Sequence, residues 1–266
     1  MKRRYLAYML LSLALTMPAL ARQAEENPPM DGFNLEASDA RAIEIADAVM
    51  QSMGGRTNWD NTRYLSWSFF ADDQVWDKWS GAFRYQRDSL VVLMNVNTKE
   101  GRAWADGQEI TDAEAHQETL NGAYRAWVNS GYWLMMPYKL KDSGVTLKYL
   151  GDGTMEDGQA AEILQLTFDN VGLTPQNKYH VFVDKETMLV GQWQYYREAT
   201  DAEPRFTRPW RNWQRHGAIM LSDDRGEGRN GPFILPNVGV YDTLPESVFT
   251  DPARLDLATL AAQQEN

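Results

Sequence analysis

The sequence holds three histidines, His116, His180 and His216, and no cysteine. No two of the histidines stand at the spacing of a metal-binding pair, and without thiolates no tetrahedral zinc set forms from sequence neighbours. Neither a metal nor another cofactor is expected. His116 sits in a polar helical stretch and reads as solvent-exposed. His180 and His216 fall in strand-like segments, so a joint acid–base role requires those strands to pair on one face. Asp72-Asp73, Asp223-Asp224 and Glu25-Glu26 lie in turn-like or tail contexts and read as solvated charge. No G-x-S-x-G elbow, phosphate-binding loop, dinucleotide fingerprint or H-E-x-x-H motif is present. Two acids brought together from distant strands would still make a hydrolase, and spacing alone does not reveal such a pair. The sequence otherwise reads as a protein without catalysis.

The first 21 residues set the compartment. Lys2, Arg3 and Arg4 precede an apolar run from Tyr5 to Met17, and Ala19-Leu20-Ala21 supplies a small-x-small cleavage pattern. Export as a soluble protein, cut after Ala21, is the expectation. The run is short for a membrane span and no second one follows, so an integral membrane protein is not expected. The leader holds three of the 26 basic residues and none of the 37 acidic ones, so its removal makes the formal charge of −11 more negative still. That sign argues against nucleic acid or an anionic membrane surface as partner. Residues 22–37 read as a flexible segment, 38–250 as one β-rich domain and 251–266 as a polar tail; no internal repeat appears.

The elements that position any site follow from periodicity. Ser38 stands where an N-cap belongs, Ile43, Ala46, Met50 and Met53 recur at helical spacing, and Gly54-Gly55 closes the helix. From Arg63 the period becomes two: Leu65, Trp67 and Phe69 share one face, Phe83 and Tyr85 repeat it, and Leu90 to Met94 reads as a strand covered on both faces. Ala103 to Ala105 before Asp106-Gly107 completes a four-strand meander. A second helix begins at Thr111, spaced from Glu114 as a capping box, with Leu120, Ala123, Tyr124 and Trp127 as its stripe. Strands resume at 145–149, 164–168, 179–183 and 189–195, with Leu189, Trp193 and Tyr195 on one face. In 209–221, Trp210 and Trp213 fall on opposite faces of a regular strand. A last strand over 233–241 carries Pro236, which puts it at an edge or bulge.

Between the two runs of strands lies Gly131-Tyr132-Trp133-Leu134-Met135-Met136-Pro137-Tyr138, the densest apolar segment beyond the leader. Pro137 must break a helix there. A stretch this apolar has to plug a cavity, cover a sheet or meet a ligand.

The blocks GYWLMMPYKLKDSGVTLKYLG (131–151), FDNVGLTPQNKYHVFVDKETMLVGQWQYY (168–196) and WRNWQRHGAIML (210–221), in this order behind a leader and a helix, resemble the LolA/LolB-like lipoprotein-carrier superfamily of Gram-negative envelopes, in particular an uncharacterised periplasmic branch. The resemblance implies an α+β fold, mainly β with helices: a curved antiparallel half-open β-barrel wrapped around helices, enclosing an apolar cavity with Trp67, Phe69, Trp193 and Tyr195 on its concave wall and Trp133, Leu134, Met135 and Met136 as a plug or ligand wall, where methionine suits because it repacks around different shapes. It implies a monomeric carrier for a hydrophobic small molecule, lipid or lipoprotein acyl chain. An envelope interaction or sensor protein with a closed aromatic core, and an exported hydrolase, are the competing readings. Processing after Ala21 is checked by N-terminal sequencing of the exported product; a chain retaining Met1 contradicts it.

Overall fold

Alternation of apolar and polar residues builds antiparallel sheets throughout the computed structural model, which describes residues 27–262. The leader and its cleavage point lie outside the described residues. Two helices come first, α1 (Ala40–Ser52) and the short α2 (Arg56–Asn61). Six strands follow: β1 (Tyr64–Phe69), β2 (Asp72–Asp77), β3 (Ala82–Arg87), β4 (Leu90–Asn95), β5 (Gly101–Ala105) and β6 (Gln108–Glu109). Helix α3 (Ala113–Met135) runs on through a 3₁₀ turn (Met136–Lys139). Next come β7 (Val145–Thr154), β8 (Ala160–Phe168), β9 (Lys178–Asp184), β10 (Val190–Tyr196) and β11 (Phe206–Pro209). The chain ends with β12 (Arg211–His216), β13 (Ile219–Gly228), β14 (Gly231–Ile234), β15 (Gly239–Tyr241), α4 (Ser247–Thr250) and α5 (Leu257–Ala262).

The strands form three sheets, ordered β15-β1-β2-β3-β4-β5-β6, β11-β10-β9-β8-β7 and β12-β13-β14. They do not close into a barrel; the α+β architecture of antiparallel sheets around helices is the one the sequence implies. One core joins all three sheets to α1 and α3, through Ile45 and Val49 of α1, Trp67 of β1, Leu134 of α3, Val181 of β9 and Leu221 of β13. Where β1 meets α3, the Trp67 indole donates to the Ser130 hydroxyl at 3.0 Å, and that oxygen is 2.9 Å from Gln74 Oε1 on β2. These bonds keep polar groups from being stranded in the core.

Several local readings are corrected. The caps of α1 and α3 are Asp39 and Asp112, one residue later than expected. Ser38 instead accepts the Leu147 N–H and Asp39 accepts from Lys148 and Tyr149, so both tie α1 to β7. Ile43 is only partly buried, while Ala42, Ile45 and Val49 are buried, which turns the α1 stripe. Residues 27–37 are not loose, since Phe33 enters the main core and Asn34 donates to the Gly144 carbonyl and Thr146. Asp72 and Asp73 are in β2 rather than a solvated turn. Asp72 is buried against Arg87 and accepts from the Tyr85 hydroxyl at 3.0 Å. A bulge between Val190 and Gln192 shifts the parity of β10, so buried Val190 and buried Trp193 face the same core. Asn212, at φ 54°, breaks the alternation after β11 and lets Trp210 and Trp213 stack on each other, 6.2 Å between ring centres.

The C-terminal segment is not a free tail. Val248, Leu257 and Leu260 pack with Tyr64, Val75 and Tyr241. Arg84, 1% exposed, reaches from β3 to the carbonyls of Val248, Asp251 and Ala253 and to Gln86 Oε1. Charge-assisted bonds to three carbonyls within six residues fix an irregular segment that has no sheet ladder to hold it. Arg84→Ala should therefore cost about 3 kcal/mol in a denaturant melt and expose residues after Leu244 to limited proteolysis. Arg254→Ala, at the surface, is the control, and equal losses for the two would contradict this assignment.

Candidate functional site

The sheets and the end of α3 meet in a cluster of aromatic rings. Gly131 does not isolate the apolar segment; it lies inside α3, and Trp133 to Met135 form the last turn of that helix. Pro137 converts the helix to a 3₁₀ turn and ends it. Leu134, Met135 and Met136 are buried in the core, and Trp133 is half-buried. The Trp133 ring touches Phe69 of β1 (5.9 Å between centres), Trp193 of β10 (4.9 Å, edge-to-face), Phe206 of β11 (5.6 Å, stacked) and Phe233 of β14 (5.1 Å). One side chain thus bridges all three sheets. Tyr195 stacks on Phe206 at 5.0 Å, and Tyr179 of β9 stacks on Trp193 at 5.1 Å.

Of the expected cavity walls, Phe69, Trp133, Trp193 and Tyr195 come together in this junction. Trp67 is fully buried in the same core, where its indole bonds to Ser130. Sequence reading missed Tyr132, Tyr179, Phe206, Trp210 and Phe233 as members. Phe206 is a single aromatic in a polar stretch, and Phe233 opens the expected last strand with nothing local to say which rings it meets. Phe70 was missed as well. It occupies the two-residue link between β1 and β2 at φ 56°, is 73% exposed, and stacks on Phe233 at 5.0 Å. A bulky residue in the left-handed region is strained, and tight hairpin links normally place glycine or asparagine there. The junction therefore reaches from a solvent-exposed ring, through Phe233 and Trp133, to the buried Trp193.

The helix end is held by Arg225 of β13. Its guanidinium is fully buried and lies 3.6 Å over the Trp210 ring. It donates to the Trp133 carbonyl at 2.7 and 3.2 Å, to the Ser222 hydroxyl at 2.8 Å, and to the carbonyls of Ser222 and Asp224, each at 2.9 Å. Burial pushes its pKa down to about 9, so it remains a cation at neutral pH. A cation at a helix C-terminus is favoured by the peptide dipoles and by the carbonyls left without helical partners.

The interior of the junction is filled. Trp193 and Trp210 are 1% and 2% exposed. A small crevice lies elsewhere, between Met50, Tyr138 and Lys141.

The histidines form no site. His180 pairs in register with Gln165 and Gln194 in the second sheet, and its Nδ1 is 3.0 Å from the Tyr196 hydroxyl. His216 pairs with Ile219 in the third sheet, and His116 Nε2 is 3.1 Å from the Gly101 carbonyl. Among the described residues no group of three histidine, aspartate or glutamate side chains stands where it would hold a metal ion, and no helix is long and apolar enough to cross a membrane.

No protein-family model and no curated protein matches the sequence. Among solved structures, the chain is similar to a DUF1329 family protein from Desulfovibrio piger, 12% identical over 80% of this chain and 98% of that one, with a TM-score of 0.42. It is also similar to a LolA superfamily protein from Nitrosomonas europaea, 9% identical over 79% of this chain and 97% of that one, with a TM-score of 0.36. No residue role is carried over from either.

Burial, with a smaller effect of Lys178, lowers the pKa of His180, and burial lowers that of His216. The unfolded chain then takes up protons near pH 6.5 before the folded one does, so their stabilisation is full above that pH and is lost as pH falls below it. His180→Gln should narrow the difference in urea midpoint between pH 7.5 and 5.5. An unchanged difference would contradict a neutral, buried His180.

Proposed function

We propose that this protein is a periplasmic, non-catalytic binding or carrier protein for a hydrophobic ligand, a lipid or a lipoprotein acyl chain, and that it works as a soluble monomer after its leader is removed following Ala21. The observation that carries this reading is the position of Trp133. Its ring joins Phe69, Trp193, Phe206 and Phe233 from three separate sheets. Contacts between rings can be remade with an acyl chain without breaking a sheet ladder. The ligand walls are Phe69, Trp133, Trp193 and Tyr195, with Trp67, Leu134, Met135 and Met136 behind them. The exposed Phe70, stacked on Phe233, marks the mouth. The acidic surface leaves nucleic acid outside the set of partners.

One observation favours a second reading, an envelope interaction protein whose aromatics are a closed core: Trp67, Leu134, Met136 and Trp193 are all at most 1% exposed. The two readings separate at Trp133. In a closed core, Trp133→Ala costs about 3–5 kcal/mol, as for other large-to-small changes, and creates no affinity for lipid. In a carrier the loss is smaller, because ligand or water refills the space, and a fluorescent long-chain fatty-acid probe that binds the wild type binds the variant more tightly. A denaturant melt beside a probe titration of both proteins decides. Full destabilisation with no probe bound by either overturns the carrier reading.

A further inference from the structure

We infer that the aromatic junction selects an amphiphile with an anionic head group, a long-chain carboxylate in place of a neutral ester or alcohol; this deepens the carrier reading and rests on it. The observation is an imbalance of donors over acceptors. Three buried polar atoms of the junction, Trp193 Nε1, Trp210 Nε1 and the Tyr132 hydroxyl, have no hydrogen-bond partner among the described residues. Their rings are neighbours: Tyr132 and Trp193 are 6.0 Å apart, and Trp193 and Trp210 5.6 Å, between centres. Trp193 and Trp210 meet edge-to-face at 84°. Such a pair directs at most one N–H at the other ring, in a contact far weaker than an N–H···O bond, so at least one indole donor has no acceptor.

The charge in contact with these rings is positive. The Arg225 guanidinium lies over the Trp210 ring, and its five N–H groups are spent on carbonyls and a hydroxyl. No carboxylate bonds to it directly, and Asp223 and Asp224 act on it through space. Asp224 accepts the Gly226 N–H at 2.7 Å and Asp223 accepts from Asn212 at 2.8 Å, both on the same strand as Arg225. A buried polar group normally finds its partner, and here donors without acceptors lie beside a buried cation in an apolar surround. A carboxylate is acceptor-only, carries the complementary charge and takes several donors at once. An ester offers weaker acceptors without charge, and an alcohol brings another donor into a set that already has too many.

The test compares ligands of one chain length on the intact protein. Palmitate, methyl palmitate and hexadecanol are titrated at pH 8 against the intrinsic tryptophan fluorescence of the wild type and of Trp193→Phe and Trp210→Phe, which keep a ring and remove the N–H. In the wild type palmitate should bind at least about tenfold more tightly than either neutral ligand, the worth of one charge-assisted hydrogen bond. That preference should shrink in at least one variant that unfolds at a denaturant concentration near the wild type's. Equal affinities for the three ligands in the wild type overturn this inference and leave the carrier reading standing. A preference unchanged in every folded variant also overturns it. Binding of none of the three overturns the carrier reading and this inference with it.

Discussion

Everything at the junction depends on the bond between Arg225 and the carbonyl of Trp133. The last carbonyls of a helix have no partner within it, and those of α3 end in an apolar surround where water cannot serve them. Arg225 supplies the missing donors and, being planar, reaches one carbonyl with two of its N–H groups. It fixes both the end of α3 and the place where β13 crosses it. Trp133 is thereby set where rings from three sheets converge. The arrangement is costly, because a guanidinium without a carboxylate partner loses hydration that neutral carbonyls only partly replace. A hydrophobic residue would pack in the same volume at less cost in charge but would leave the carbonyls unmet. The charge is therefore better explained by geometry than by stability.

The same device recurs where irregular chain meets sheet. Arg84 gathers the carbonyls of the C-terminal segment. Lys141, after the 3₁₀ turn, bonds to Asp47 of α1 and to the Asn27 carbonyl, a buried pair that locks the first helix to the end of the third. The carboxyl of Asp47 is pushed up by its burial and pulled back by Lys141, the first effect being the larger. Three buried cations thus serve three places where backbone leaves regular structure. The sheets need no such help, because their ladders satisfy the backbone internally.

How much of this was legible depends on how local the cause is. Leu65-Trp67-Phe69 and Phe83-Tyr85 announce strands because a half-buried pleat needs only alternation. Asp72 to Asp77 hid a strand, since its acids look solvated until Arg87 and Arg63, from other parts of the chain, pair with Asp72 and Asp77. The helix through Gly131 was hidden by a residue of low helix propensity, which tertiary packing overrides; a Cβ there would stand 3.0 Å from the end of the Met135 side chain. Ser38 and Asp39 suggested a cap in the wrong register because both side chains serve β7. At the junction, Trp133 and Trp193 stood out as large apolar residues at strand or helix spacing. Phe206, Phe233 and Arg225 did not, because the contacts that bring them to Trp133 are set by topology.

A filled junction and a binding role are compatible if opening costs less than the ligand returns. Trp133 makes four ring contacts across the sheets. At about 0.5–1.5 kcal/mol for each aromatic pair beyond simple burial, separating them costs roughly 2–6 kcal/mol. Each methylene of an acyl chain removed from water contributes about 0.8 kcal/mol. Some three to eight methylenes then offset the loss of the ring contacts, and only a longer chain retains net affinity for an opened junction. On the carrier reading the closed rings would therefore act as a length filter: short apolar molecules would not repay the separation, whereas a long chain would. The closed state also keeps the aromatic walls from water while no ligand is bound, when an open cleft of the same residues would be an exposed apolar patch prone to association.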